Sequence, residues 1–549
     1  MELDVASVSE AIAAAHPDRQ CVVQGGRSFS WDQTRRRTRR FASVLRTSGL
    51  GDVAPSHSLC RWQSGQDHVA LYLRNCPEYL EGMLGSWKAR CASFNVNYRY
   101  VADELVHLLD DADARAVVVH DSFVPTLAAV LPALRRPPDL ILQVRDGSPH
   151  ELLPGAVEYE DALGRADEQL ADDLVRSWSG DDLYLCYTGG TTGLPKGTMW
   201  RQADFIVAAL GVRTEDGSEY PSLDAVVERA NSRLRALPAP PLMHGAAHWN
   251  ALSCWIAGGT VVLQSVVDRF DPGDVLDTIE THRATSLLVV GDPMARPLID
   301  TLRAERDAGR HRDLSSLRHL LSGGAVLSPT SAASLVELID GLTVVDVLGS
   351  TESGRQGVAR RRAGGGDRGF VPSATTTVLS EGRDRTLRPG EDELGWLAQS
   401  GRVPLGYLGD EEKTAATFPQ VGDIRYAVAG DRARIAEDGT IELHGRDSVC
   451  INTGGEKVFA EEVETAIKRH PAVYDAVVCG RPSERWGEEV VAVVALRDDA
   501  AVDDTELIAT AGRHLARYKL PRSVVRVDEV VRAPSGKADY RWARSVAAR

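Results

Sequence analysis

The sequence has no paired cysteines. Cys21, Cys60, Cys76, Cys91, Cys186, Cys254, Cys450 and Cys479 are scattered without a CxxC pair or a regular spacing. This excludes the common zinc and dithiol motifs and suits a reducing compartment. No apolar run approaches the ~18 residues of a membrane span, and the opening Met1-Glu2-Leu3-Asp4 carries acid where a signal peptide carries base. The expectation is a cytoplasmic protein with no membrane span. Positive charge is also short, with 63 lysines and arginines against 78 aspartates and glutamates and a formal net charge of -15. Such a balance repels phosphate backbones, so nucleic acid is not an expected partner. There is no internal repeat, and the biased stretch Arg360-Arg361-Arg362-Ala363-Gly364-Gly365-Gly366 is short enough for a loop.

What is present is an ordinary globular composition, 43% hydrophobic and 26% charged. At 549 residues the chain is too long for one core, so a large body and at least one further domain are expected. Apolar β-branched runs at 116–119, 260–263 and 287–290 alternate with helical patterns such as 331–340, which is α/β organisation. Near Gly445 the character changes. A strand at 440–444 and a turn at 445–448 are followed by a helix at 460–470, strands at 476–478 and 490–496, and a helix at 504–518. The reading is a large multi-layered N-terminal domain, 1–445, of β-sheets flanked by helices, and a small, mobile α+β C-terminal domain, 446–549. The basic stretch 35–40 leads into Phe41, Val44 and Leu45, and reads as the polar side of an amphipathic helix.

The most informative stretch is Tyr187-Thr188-Gly189-Gly190-Thr191-Thr192-Gly193-Leu194-Pro195-Lys196-Gly197, after a strand at 183–186. Glycines let consecutive N–H groups point at an anion, threonine hydroxyls add donors, and lysine adds a point charge, a combination suited to a polyphosphate. It is not a Walker A loop, because Lys196 follows Gly-Leu-Pro and no Ser or Thr comes directly after it. The bland alternative is a Gly/Thr hairpin without a ligand.

This loop resembles the signature of the adenylate-forming superfamily, which includes acyl-CoA synthetases, firefly luciferase and peptide-synthetase adenylation domains. Further motifs follow in that family's order: Pro241-Leu242-Met243-His244-Gly245, Ser322-Gly323-Gly324-Ala325, Gly349-Ser350-Thr351-Glu352, Gly430-Asp431, Gly445-Arg446, Thr453-Gly454-Gly455-Glu456-Lys457 and Pro534-Ser535-Gly536-Lys537. The resemblance implies an acyl-CoA synthetase using ATP, Mg²⁺ and coenzyme A on a small-molecule carboxylic acid. It implies that Thr188, Thr191, Thr192 and Lys196, with Gly189, Gly190 and Gly193, hold the triphosphate. Glu352, presented by Gly349, Ser350 and Thr351, would bind Mg²⁺. Gly323, Gly324 and Ala325 would contact adenine, Asp431 the ribose hydroxyls, and Arg446 would support them. Lys537 is the implied catalytic lysine, and Gly454, Gly455, Glu456 and Lys457 would line the pantetheine tunnel.

On the acyl side, the resemblance places His244 along the channel, with Gly245, Trp249, Gly291, Asp292 and Met294 as neighbours. Trp249 could equally be core. His244 and His248 are four apart, but no HExxH pattern or third ligand supports a metal pair. Two departures stand out. Ser448 occupies a hinge position where the family has Asp or Lys, and Leu348 replaces an aromatic before Gly349. The stretches 198–201, 291–298 and 536–542 resemble actinobacterial synthetases for long-chain fatty acids and steroid side-chain carboxylates, implying a bulky apolar acid. Two rivals stay open: an enzyme loading a carrier-protein phosphopantetheine, and a nucleotide sensor without catalysis. A homodimer is compatible with the sequence. Residues 55–65 form an apparent extra loop with no function assigned.

Overall fold

Strands apolar on both sides need cover on both faces, and among the described residues the chain provides it with five sheets. The computed structural model describes residues 2–188, 195–231, 233–361, 369–453, 456–483, 486–497, 500, 502–515, 517–533 and 536–548, and the backbone alone at 448, 456 and 457. The largest sheet has nine strands. Its parallel centre runs in the order Thr343–Ser350, His319–Ser322, Ser286–Val289, Arg235–Pro238, Thr260–Leu263, Gln20–Gln24. Antiparallel strands close both ends, Arg27–Ser30 on one and Gly354–Arg361 with Val371–Pro372 on the other. Helices Gly245–Ile256, Gly291–Asp307 and Pro329–Leu338 are among the crossovers. The helix expected at 331–340 thus starts two residues earlier, where Ser328 accepts the Ser331 amide as its cap.

A second, all-parallel sheet of five strands contains Ala114–His120 at its centre. Helix Pro77–Lys88 is buried along its whole length. Its charges survive burial because each has a partner: Lys88 meets Glu10, and Glu81 meets Arg37. The basic run lies on helix Trp31–Thr47, which opens with a Ser30/Gln33 capping box. Arg36 pairs with Asp32, Arg37 with Glu81 and Glu160, Arg39 with Glu10, and Arg40 with Glu168. The run therefore ties helices together.

Strands Leu183–Thr188 and Lys196–Arg201 form an antiparallel hairpin, to which Gly406–Tyr407 adds a third strand. In the adjoining six-stranded sheet, strand Ile441–Arg446 runs two residues beyond the expected 440–444. Gly445 and Arg446 still pair with Arg432 and Asp431, and the turn that follows is Asp447–Val449.

The last sheet contains only residues from Cys450 onward. Its central hairpin, Val473–Ser483 with Gly487–Leu496, is longer than the apolar runs alone suggest, and an Arg481–Glu489 pair extends it. Both faces are covered. Val477, Val491 and Val493 pack with Ala543 and Ala547, while Val478, Val490 and Val494 pack with Val463, Ile467 and Leu507. The helix expected over 504–518 ends at Gly512 and is followed by a short turn, Arg517–Lys519.

Candidate active site

In open α/β sheets ligands gather at the carboxyl ends of parallel strands, and several expected motifs meet there. Gly323 and Gly324 follow strand His319–Ser322, and Gly324 has φ +85°, a conformation that favours glycine. Gly291 lies beside them, its amide donating to Ser322 Oγ at 3.3 Å and its backbone against that of Ala325.

On the phosphate side, Thr188 and Lys196 are cross-strand partners at the mouth of the hairpin. Gly189, Gly190, Thr191, Thr192 and Gly193 between them lie outside the described residues. Lys196 Nζ forms an ion pair with Asp410 Oδ2 at 2.5 Å. Glu352 sits in the turn after strand Thr343–Ser350. A Cβ at Gly349 would lie 2.3 Å from the Gly354 carbonyl oxygen, so the turn can close only on glycine. Ser350 Oγ meets Ser353 Oγ at 2.8 Å, and the Thr351 carbonyl accepts Trp200 Nε1–H at 2.9 Å. The turn is thereby fixed. Tyr407 donates its hydroxyl to Glu352 Oε1 at 3.0 Å, and burial followed by this carboxylate raises the phenol pKa. A partly exposed carboxylate steered by a phenol suits a hard divalent cation beside a polyphosphate.

Asp431 and Arg446 are cross-strand partners, with Arg446 Nε donating to Asp431 Oδ1 at 3.1 Å. Asp431 raises the Arg446 pKa against the opposing effect of burial. Lys537 reaches this cluster from the segment that follows Ser523–Val527, a strand of the C-terminal sheet. Its Cε lies 3.9 Å from where a Cβ of Gly324 would be. Crowding in the cleft, then Arg446, lowers its pKa, although the residue keeps a surface open to water. The turn before it is closed by hydrogen bonds from Gly536 N to Ala533 O and from Ala533 N to Lys537 O, both 2.8 Å. Arg532 bonds the Gly536 carbonyl and pairs with Asp475. Gly536, at φ +75°, has only 3.0 Å between its Cβ position and Val290. Two more contacts hold this sheet against the large domain: Arg296 donates to the Val473 carbonyl at 3.1 Å, and Arg497 meets Asp300 at 3.4 Å.

Glu461, absent from every sequence motif above, faces the same cluster. Its carboxylate lies 2.7 Å from the Cβ position of Gly445. Burial, then Glu464 and Asp431, raise its pKa to about 7, while Arg446 and Lys537 pull it down.

The acyl-side residues divide. Burial, then Lys537, pushes the pKa of His244 down to about 3, so the ring is neutral at physiological pH, and its Nε2 is buried with no partner among the described residues. Gly245 leaves ordinary van der Waals room toward Trp249 and Cys186. Trp249 is half core: its Nε1–H donates to Tyr184 Oη at 2.7 Å and its ring meets Phe205 edge-on. His248 uses both nitrogens, one on the Leu242 carbonyl at 2.7 Å and one on Tyr184, so it cannot join His244 around a metal. Asp292, expected as a pocket neighbour, has its carboxylate engaged by the protein. Its Oδ1 accepts from Ser328 N and Oγ at 2.9 and 3.0 Å, and Oδ2 lies 3.3 Å from Arg296, so it braces the helix that docks the C-terminal sheet. Met294 Sδ accepts the Val290 amide at 3.3 Å. Leu348 is buried with Val378, Leu387 and Leu397. Gly454 and Gly455 lie outside the described residues, as do the side chains of Glu456, Lys457 and Ser448.

Of the residues missed by sequence reasoning, Tyr407, Asp410 and Arg296 act on partners far along the chain, and Glu461 on the nearer Gly445 and Arg446. Asp410 is 214 residues from Lys196. The one local signal was the Gly406-Tyr407 pair in a run able to form a strand.

The description "AMP-binding enzyme" matches residues 9–401, and "AMP-binding enzyme C-terminal domain" matches 462–537. The chain is 49% identical over 547 residues to the medium-chain acyl-CoA ligase Mig of Mycobacterium avium, covering 99% of this chain and 98% of that one. It is 38% identical over 554 residues to the 3-oxocholest-4-en-26-oate–CoA ligase of Rhodococcus rhodochrous, covering 99% and 96%. Its fold matches the crystal structure of the anthranilate CoA ligase AuaEII in complex with anthranoyl-AMP, with a TM-score of 0.79, 20% identity, and coverage of 100% and 97%. The chain belongs to the AMP-binding enzyme family and, within it, to the acyl-CoA ligases.

Proposed function

We propose that the protein activates a bulky apolar carboxylic acid, of the medium- to long-chain fatty or steroid side-chain class, and transfers it to coenzyme A. In the first step a carboxylate oxygen attacks the α-phosphorus of ATP and pyrophosphate leaves. In the second the thiolate of coenzyme A attacks the acyl carbonyl and AMP leaves. The observation that carries the first step is Lys537, a cation from the C-terminal domain set beside Gly324 and the Asp431–Arg446 pair. Attack of one anion on another needs such a charge at the point of contact.

Thr188, Lys196 and the glycines and threonines between them would hold the triphosphate. Glu352 would hold Mg²⁺, which screens phosphate charge when bound. Gly323, Gly324 and Ala325 would face adenine, and Asp431 and Arg446 the ribose. For the second step, Gly454, Gly455 and Lys457 would face the pantetheine arm. The chain would divide at 445/446, with Arg446 to Ser448, where the short turn Asp447–Val449 follows the strand, as the hinge about which the small domain turns.

The neutral ring of His244 suits an uncharged acyl group. Trp249, Ser253 and Ile256 share one face of helix Gly245–Ile256. Ser253 and Ile256 line a cavity of about 570 Å³ with Leu210, Val212 and Tyr220 on its apolar side and Arg213, Glu228, Arg229 and Asn231 on its polar side. A long or polycyclic acyl group extending along this face from Gly245 would meet the apolar side. No described helix is long and apolar enough to cross a membrane; the setting proposed from the scattered cysteines is cytoplasmic. The test is pyrophosphate release over a panel of short, long, aromatic and steroid carboxylates, with and without coenzyme A. Adenylation of long-chain or steroid acids with a coenzyme A-dependent thioester is expected. A preference for acetate would overturn the substrate class, and thioester formation only on a carrier protein would overturn the acceptor.

A further inference from the structure

Asp410 carries two contacts at once. Its Oδ1 accepts the Lys413 amide at 2.8 Å as the cap of helix Glu411–Thr417, and its Oδ2 takes Lys196 Nζ at 2.5 Å. The strap that bears it is pinned on both sides. Gly406 and Tyr407 pair with Met199 and Thr198, Leu408 N donates to the Gly197 carbonyl, and Gly409 N donates to the Trp62 carbonyl, the last two at 2.8 Å. Trp62 belongs to the extra loop, which closes on itself where Ala54 N meets the Gly65 carbonyl at 2.8 Å. The carboxylate is therefore fixed to the body of the protein, while the lysine is a flexible stem free to move. The two side chains keep 30% and 43% of their surface in water, so the pair is weak and exchangeable.

We propose that Asp410 is a positioning residue that competes with the ATP triphosphate for Lys196, holding the ammonium group when the phosphate site is empty and reclaiming it once pyrophosphate has formed. This rests on the adenylation reading, in which Lys196 is a triphosphate ligand. Its consequence has an unusual sign: removing a group next to the site should tighten binding. The triphosphate would no longer displace a carboxylate, and one negative charge would be gone from its surroundings. Pyrophosphate, held by the same lysine, should leave more slowly.

The test is Asp410→Asn, which keeps the capping acceptor and the side-chain size and removes only the charge. Calorimetric titration with ATP and separately with pyrophosphate, without acid substrate, should show about threefold tighter binding of each. The gain should shrink as salt rises from ~0.05 M to ~0.5 M. Unchanged or weaker binding, in a variant that melts like the parent, overturns the inference. Lys196→Met supplies the control. If it leaves ATP affinity intact, the phosphate-site assignment itself fails, and this inference falls with it. If Lys196→Met weakens binding, Asp410→Asn added to it should give no further tightening, and a persistent gain would show that Asp410 does not act through Lys196.

Discussion

On the nucleotide side of the cleft, charged groups face one another across element and domain boundaries: Lys196 with Asp410, Arg446 with Asp431, and Lys537 beside both Arg446 and Glu461. On the acyl side, Tyr184, His248 and Trp249 tie their polar atoms to each other and to the Leu242 carbonyl, inside a packed aromatic cluster. The first arrangement can exchange partners when anions arrive. The second is committed before any substrate binds. On the proposed reading the difference matches two tasks, since a triphosphate would bring charge to be neutralised, whereas an apolar acyl group would need a wall that does not move.

The largest break in this comparison should come from Lys537→Ala. Adenylate formation, followed as ATP–pyrophosphate exchange, should fall by about 10³-fold, while thioester formation from supplied acyl-adenylate is largely spared. Equal loss in both steps would place Lys537 in a structural role.

Tyr184→Phe strikes the other side. It strips the partner from His248 Nε2 and from the Trp249 indole N–H, and should cost about 1–3 kcal/mol in urea unfolding. The KM for acid should rise while that for ATP stays put. A parallel rise in both would erase the distinction between the two sides.

The smallest effect concerns Glu461. Its pKa is raised to about 7 from an ordinary 4.5, so the folded protein retains a proton that the unfolded chain gives up. The stability linked to that proton is fully present below about pH 4.5 and is lost as pH rises to about 7. Glu461→Gln should flatten the dependence of the melting midpoint on pH across that window, and should be more stable at pH 8 by on the order of 1 kcal/mol. An unaltered slope would mean that the carboxyl stays ionised in the cleft.

Much of this was legible in the chain itself. β-branched runs and turn glycines are local signals, and they located strands Ala114–His120 and Thr260–Leu263 and the change of character near Gly445. Errors fell where non-local pairing decides. Strand Ile441–Arg446 is prolonged by Asp431 and Arg432, and hairpin Val473–Ser483 by Arg481 with Glu489. The helix after Asp503 ends at Gly512, ahead of its apolar pattern, and Leu515 and Leu520 fold back onto the small core. In the site, residues within short glycine-rich motifs could be read. Asp410, Tyr407 and Arg296 could not, because each matters only through a partner that the fold brings near. Asp292 shows the converse, a residue inside an informative stretch whose carboxylate serves the scaffold.

The close approach of Gly536 to Val290 has a mechanical consequence. A lysine is four methylenes of slack, and its reach would ordinarily be uncertain by several ångströms. Here Gly536 abuts Val290 at the strand end, with no space for even a methyl group without displacement, so the point from which the lysine stem starts into the cleft is set by hard contact, and only the side chain's own rotamers are left to vary. Part of the disorder that the proposed catalysis must remove is thus removed before either reactant is bound.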